Sequence, residues 1–302
     1  MNDLRKHLST CLLATAAMLA GAAPAWAQIV PSLNSASSFA ALAGGPAAGA
    51  VTCTNSTVNG DVGVVPIGTV VQTGCTITGA VVTDATAAYA DFIYAYKQFE
   101  SISCDQTLSG TLAGVTLPPG VYCFPAAATL TGTLTLDGPA DGVWIFKIGT
   151  GGTGALTGTN FSVVMAGGAQ EVDCPNVYWW VAEAATLTTS TFRGTILAGA
   201  DITVTGGTFK GDAMAGGKGT AVTPTGAVTL TGSTITACSA PGGTVTHAKL
   251  KCNQGVGNGP EACDPGNSNQ DDHGTAYPFG ANSNDEVDGV PGNPGRKGGN
   301  GK

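Results

Sequence analysis

The chain has 302 residues, 11% of them charged against a usual share of about 25%, and 46 of them glycine. With 12 Lys and Arg against 20 Asp and Glu, and no basic run inside the chain, the balance argues against nucleic acid or anionic membrane as a partner. Few charges, 6% aromatics and 37 threonines between Thr52 and Thr246 fit a helical enzyme poorly and suit a β-rich exported protein.

Arg5, Lys6 and His7 precede an apolar stretch from Cys11 to about Ala23, and Ala25-Trp26-Ala27 follows. That order predicts a secretory signal peptide over 1–27, hence a secreted, extracellular product. The apolar run is too short for a stable span, so no membrane insertion is expected. Its removal leaves eight cysteines, an even count that suggests disulfides, although eight allow 105 pairings. No C-x-x-C pair occurs and the mature chain holds only His247 and His273, so neither a metal site nor a cofactor is expected.

A small-residue segment from Gln28 to about Ala50 leads into a repeat. Thr186-Leu-Thr-Thr-Ser-Thr191-Phe-Arg-Gly194 aligns with Thr203-Val-Thr-Gly-Gly-Thr208-Phe-Lys-Gly211 at an offset of 17. Related frames begin at Thr52, Val71, Ala155 and Thr229, with weaker copies at Thr107 and Thr129. Repeats of about one coil that alternate threonine with Leu or Val indicate stacked β-coils. Within T-x-T both threonines share one face and the apolar residue points inward. A glycine after the second threonine permits a corner that a Cβ would resist. One segment differs: Thr83 to about Ser101 carries Ala85, Ala88, Phe92, Tyr96 and Phe99 at helical spacing, without Gly or Pro. It predicts one amphipathic helix with its aromatic stripe against the solenoid. The last region, 241–302, is rich in Asn, Gly and Asp and buries too little apolar surface to order. Cys252 and Cys263 within it are expected to pair with each other.

Enzymatic signatures are weak. Gly149–Gly154 spells G-x-G-x-x-G, but more of the repeat follows where a dinucleotide site needs a helix. Asp61 and Asp212 follow equivalent glycines, and Arg193 and Lys210 are equivalent to each other. A solvated coil edge explains these better than a catalytic strip. The sequons Asn55-Ser-Thr57 and Asn160-Phe-Ser162 are too short to carry weight. Trp144, Trp179 and Trp180 lie in apolar runs and read as core, not as carbohydrate platforms. No catalytic residue is assigned, and the chain is not expected to be an enzyme.

From Ser38 to Cys238 the chain resembles the microbial ice-binding protein family. The resemblance rests on Phe39-Ala-Ala-Leu-Ala-Gly44, Asn59-Gly-Asp-Val-Gly63, Leu117-Pro-Pro-Gly-Val-Tyr122, Gly142-Val-Trp-Ile-Phe-Lys-Ile148, Gly194-Thr-Ile-Leu-Ala198 and Gly226-Ala-Val-Thr-Leu230. It implies an all-β-dominated fold over 28–240: a right-handed, discontinuous parallel β-solenoid of roughly triangular section. One long α-helix packs alongside, and N-terminal coils sit beside C-terminal ones. It also implies a flat face bearing T-[A/G]-x-[T/N], which places ice contacts at Thr54, Thr57, Thr73, Thr76, Thr157, Asn160, Thr188, Thr191, Thr205, Thr208, Thr231 and Thr234. The copies at Thr111-Leu112 and Thr133-Leu134 depart from the motif and are expected to interrupt the face. Placing residues i and i+3 together requires the glycine-permitted bend; without it Thr186, Thr203 and Thr229 would form the face instead. The expected function is ice adsorption by a secreted monomer, with ice and its ordered water as partner. The alternative is a structural or adhesive solenoid, since threonine favours strands by shape alone.

Overall fold

Each repeat alternates an inward aliphatic residue with an outward threonine, and the pattern closes into coils of three short strands. The computed structural model describes residues 30–45, 49–171, 173–174, 176–218 and 226–238. From Pro31 onward these belong to one compact unit. The expected signal segment 1–27, all of 241–302, His247, His273 and the expected Cys252–Cys263 pair lie outside the described residues.

All strand pairs within the two sheets are parallel, one sheet of nine strands and one of thirteen. The larger sheet bends at a corner, so each coil contributes a strand on either side of it. Ile202–Thr205, Thr208–Lys210 and Ala213–Ala215 make up one coil. The stack does not follow chain order. The last coil, Val228–Thr231 and Thr234–Thr236, pairs onward with Ala50–Thr54 and Thr57–Asn59. Its third side is supplied from the chain start: Phe39–Ala43 lies between Ala213–Ala215 and Asp61–Val64. The solenoid expected from the sequence is therefore discontinuous, with its two chain ends interleaved.

The core follows from the inward positions. Stacked aromatics run up the interior, Tyr122 to Phe146 at 5.5 Å, Phe146 to Trp179 at 4.0 Å, and Trp179 to Phe192 at 5.0 Å between ring centres. Trp144, Trp179 and Trp180 are all buried, as expected. Disulfides join Cys53 to Cys75, Cys104 to Cys123 and Cys174 to Cys238, using six of the eight cysteines beyond the signal segment.

Among the described residues there is one α-helix, α1 (Thr86–Ser101). It begins three residues later than its periodicity suggests, because the Asp84 carboxylate accepts from the Thr86 hydroxyl and amide and holds the entry turn open. The helix lies on the nine-stranded sheet. Phe92, Tyr96 and Phe99 are buried, with Tyr96 5.2 Å from Trp180 and Phe99 5.1 Å from Tyr178 between centroids. Glycine makes this approach possible. A Cβ at Gly44 would lie 2.3 Å from the Tyr89 ring, and one at Gly217 2.4 Å from the Tyr96 ring. At the helix C-terminus, buried Lys147 donates to the carbonyls of Glu100 and Ile102, supplying positive charge where the helix dipole is negative. Burial pushes the Lys147 ammonium below its usual pKa. No described helix is long and apolar enough to cross a membrane.

Candidate functional site

The outward side of the thirteen-stranded sheet carries three neighbouring rows. Before the corner, one row reads Val71, Thr52, Thr229, Thr203, Thr186, Thr157 and Thr129 across successive strands. Two residues further along each strand, the second row reads Thr73, Thr54, Thr231, Thr205, Thr188 and Thr159. Just past the corner, the third reads Thr76, Thr57, Thr234, Thr208, Thr191, Ser162 and Thr133. Neighbours within a row stand about 4.8 Å apart, so the six threonines of the second row span about 24 Å. None of the three rows contains a charged residue. Charge begins in the next row, with Arg193 and Lys210, the latter paired with Asp173.

The corner between the second and third rows is what brings residues i and i+3 onto one outward surface. It is formed by left-handed residues at equivalent places in successive coils: Gly74, Asn55, Gly232, Gly206, Thr189 and Asn160, with φ between 46° and 65°; in the strand Ala128–Gly138 the bend is one residue shorter, and Gly132 stands opposite Phe161. Glycine adopts this conformation freely and asparagine tolerates it. The residue after the corner turns inward. Ser56, Ser190 and Ser233 there are buried, and the Ser56 and Ser190 hydroxyls donate to the carbonyls of Thr54 and Thr188. Thus the bend the sequence required is present, and both sequon asparagines serve as corner residues.

Ten of the twelve residues singled out from the sequence fall on the second and third rows: Thr54, Thr73, Thr188, Thr205 and Thr231, and Thr57, Thr76, Thr191, Thr208 and Thr234. Two do not. Thr157 aligns with Thr186, one row back, and Asn160 occupies the corner; Thr159 and Ser162 take their places. The reason is the inward register: Leu156 and Phe161 are fully buried, and these anchors move the Thr157-Gly-Thr-Asn160 frame by two residues. Thr159, Ser162 and Thr133 were missed, because the sequence fits two registers here and burial of Leu156 and Phe161 selects between them only in the fold. Leu112 and Leu134 are buried; Thr133 continues the third row beside Ser162, and the row ends there, since the next strand, Val115–Leu117, pairs only with Leu134–Leu136. Nor are Thr186, Thr203 and Thr229 an alternative face; they are the adjoining row of the same one.

Several of the described carboxylates are engaged with backbone amides or a hydroxyl. Asp212 is buried, not on a solvated edge as its sequence context suggested. Its oxygens accept from the Thr195 hydroxyl and the Cys238 amide, and burial raises its pKa to about 7 against those two hydrogen bonds. Asp61, Asp105 and Asp201 accept from the amides of Ala80, Val121 and Ala227 respectively, so they tie backbone segments together. Among the described residues no three of His, Cys, Asp and Glu converge as a metal-ligand set.

Residues 45–236 match the family model described as ice-binding-like. The chain is 42% identical over 127 residues to an ice-binding protein of Nostoc sp. (strain HG1), a stretch covering 41% of this chain and 45% of that one. Over 164 residues it is 32% identical to an ice-binding protein of Flavobacterium frigoris (strain PS1), covering 47% and 57%. The chain thus spans about half the length of these two curated relatives. The crystal structure of an ice-binding protein from the Antarctic ascomycete Antarctomyces psychrotrophicus superposes with a TM-score of 0.58 at 31% identity, covering 70% of this chain and all of that one. With the family model matching residues 45–236, the chain belongs to the ice-binding-like family.

Proposed function

We propose that this protein is secreted and adsorbs to ice through the three threonine rows, slowing ice growth and recrystallisation as a monomer without catalysis. The observation that carries this reading is the uncharged threonine array in register over successive coils on one outward surface. Threonine is β-branched and stiff at χ1, so its methyls and hydroxyls hold fixed positions. Little side-chain entropy is lost when such a surface meets a solid, and many weak contacts act together. Strand stacking supplies one repeat of about 4.8 Å and the pleat another of about 7 Å, two regular spacings that ordered water can bridge to a lattice. The relatives' printed identity as ice-binding proteins supports the same reading. Three disulfides suit an oxidising compartment, in line with secretion.

Thr205 sits near the centre of the second row and is exposed. Thr205→Tyr should lift the surface off the lattice and remove most growth arrest, while circular dichroism and Tm stay close to the unmutated values. Arg193→Ala, in the adjacent charged row, should change activity less than about twofold. A folded Thr205→Tyr with full activity would place the contact surface elsewhere.

A further inference from the structure

Of the six left-handed corner residues at equivalent places, three are glycine and two asparagine; the remaining one is Thr189, at φ 46°. A β-branched residue in this region is a backbone outlier, and such outliers persist where the surroundings use them. Thr189 is exposed, so core packing does not hold it there. Its amide donates to the Thr205 carbonyl, as corner amides do elsewhere in the stack, and its one side-chain hydrogen bond runs from its hydroxyl to the Asn160 Oδ1 in the adjacent coil at 2.5 Å. Its methyl leans the other way, lying 3.4 Å from where a Cβ on Gly206 would stand. Asn160 is itself an exposed corner residue between Thr159 of the second row and Ser162 of the third. At that coil the third row has lost a methyl, serine standing for threonine.

We propose that Thr189 is a positioning residue of the ice-contact surface: it pins the Asn160 amide so that its remaining polar atoms join the two flanking rows as a fixed site for ordered water. This rests on the threonine rows being the ice-contact surface. A free asparagine side chain samples several orientations, whereas an amide held by a neighbouring hydroxyl presents its NH₂ in one. Backbone strain at Thr189 is the compromise that places the hydroxyl there.

Stability and ice adsorption should then respond in opposite directions. Thr189→Gly relieves the left-handed strain and should raise Tm by about 2–4 °C, yet lower adsorption about threefold or more. Thr189→Ser keeps the hydroxyl without the β-branch and should retain adsorption within about twofold. In an Asn160→Gly background, which keeps a residue suited to the corner, Thr189→Gly should produce no further loss. Adsorption is read by partitioning of labelled protein into a growing ice hemisphere, with the unmutated protein and Thr205→Tyr alongside. If the unmutated protein does not partition into ice, the parent reading fails. If it partitions and Thr189→Gly does so equally, or if the loss persists without Asn160, Thr189 has no positioning role.

Discussion

Single residues here do their work through which side of a coil they face, and Asp212 shows how much that side matters. Its carboxyl is pushed up to about 7 by burial, whereas in an unfolded chain it ionises near pH 4. Between those values the folded state binds the additional proton, so stability falls as pH rises from about 4 to about 7 and levels off above. Asp212→Asn preserves an acceptor for the Cys238 amide and turns its NH₂ to the Thr195 hydroxyl, which then accepts instead of donating. Its Tm should match the unmutated protein at pH 4 and exceed it by on the order of 5 °C at pH 8. Parallel Tm–pH curves for the two proteins would contradict this. The sequence could not reveal this burial: Asp61 and Asp212 both follow a glycine, yet only Asp212 is covered, by the segment carrying Cys238. Thr157 and Asn160 show the same limit. T-G-T-N fits the repeat in two registers, and only burial of Leu156 and Phe161 selects one.

Among the elements, α1 was the easiest to foresee, since Phe92, Tyr96 and Phe99 at three- and four-residue spacing leave one buried stripe. The T-x-T strands were legible for the same reason, a period that differs between their two faces. Hidden from the sequence was the fastening of the helix end, because Lys147 sits in an apolar run, Val143–Ile148, that reads as core throughout. Its ammonium reaches the Glu100 and Ile102 carbonyls and lies 5.8 Å from the centre of the Trp180 ring. Lys147→Met keeps the stem volume but leaves those carbonyls without their donor. We expect a loss of about 2–3 kcal/mol in denaturant unfolding, together with faster proteolysis after residue 100. Wild-type stability in this variant would show that the two hydrogen bonds contribute nothing net.

On the scale of the whole molecule, the interleaving of chain ends sets cooperativity. In a linear solenoid each coil touches only its neighbours and the ends can fray independently. Here Phe39–Ala43 is wedged between Ala213–Ala215 and Asp61–Val64, and Val228–Thr231 between Ile202–Thr205 and Ala50–Thr54, so loosening either end parts strands inside a sheet. Calorimetry should therefore give one transition with equal calorimetric and van't Hoff enthalpies; two resolved transitions would contradict it. The same stacking keeps the threonine rows in register over about 24 Å, which a surface acting through many weak contacts requires. That requirement is met or not in one observation. A single ice crystal held slightly below its melting point in the purified protein should develop facets and stop growing until further cooling. A crystal that stays rounded and grows as it does in buffer would contradict the account.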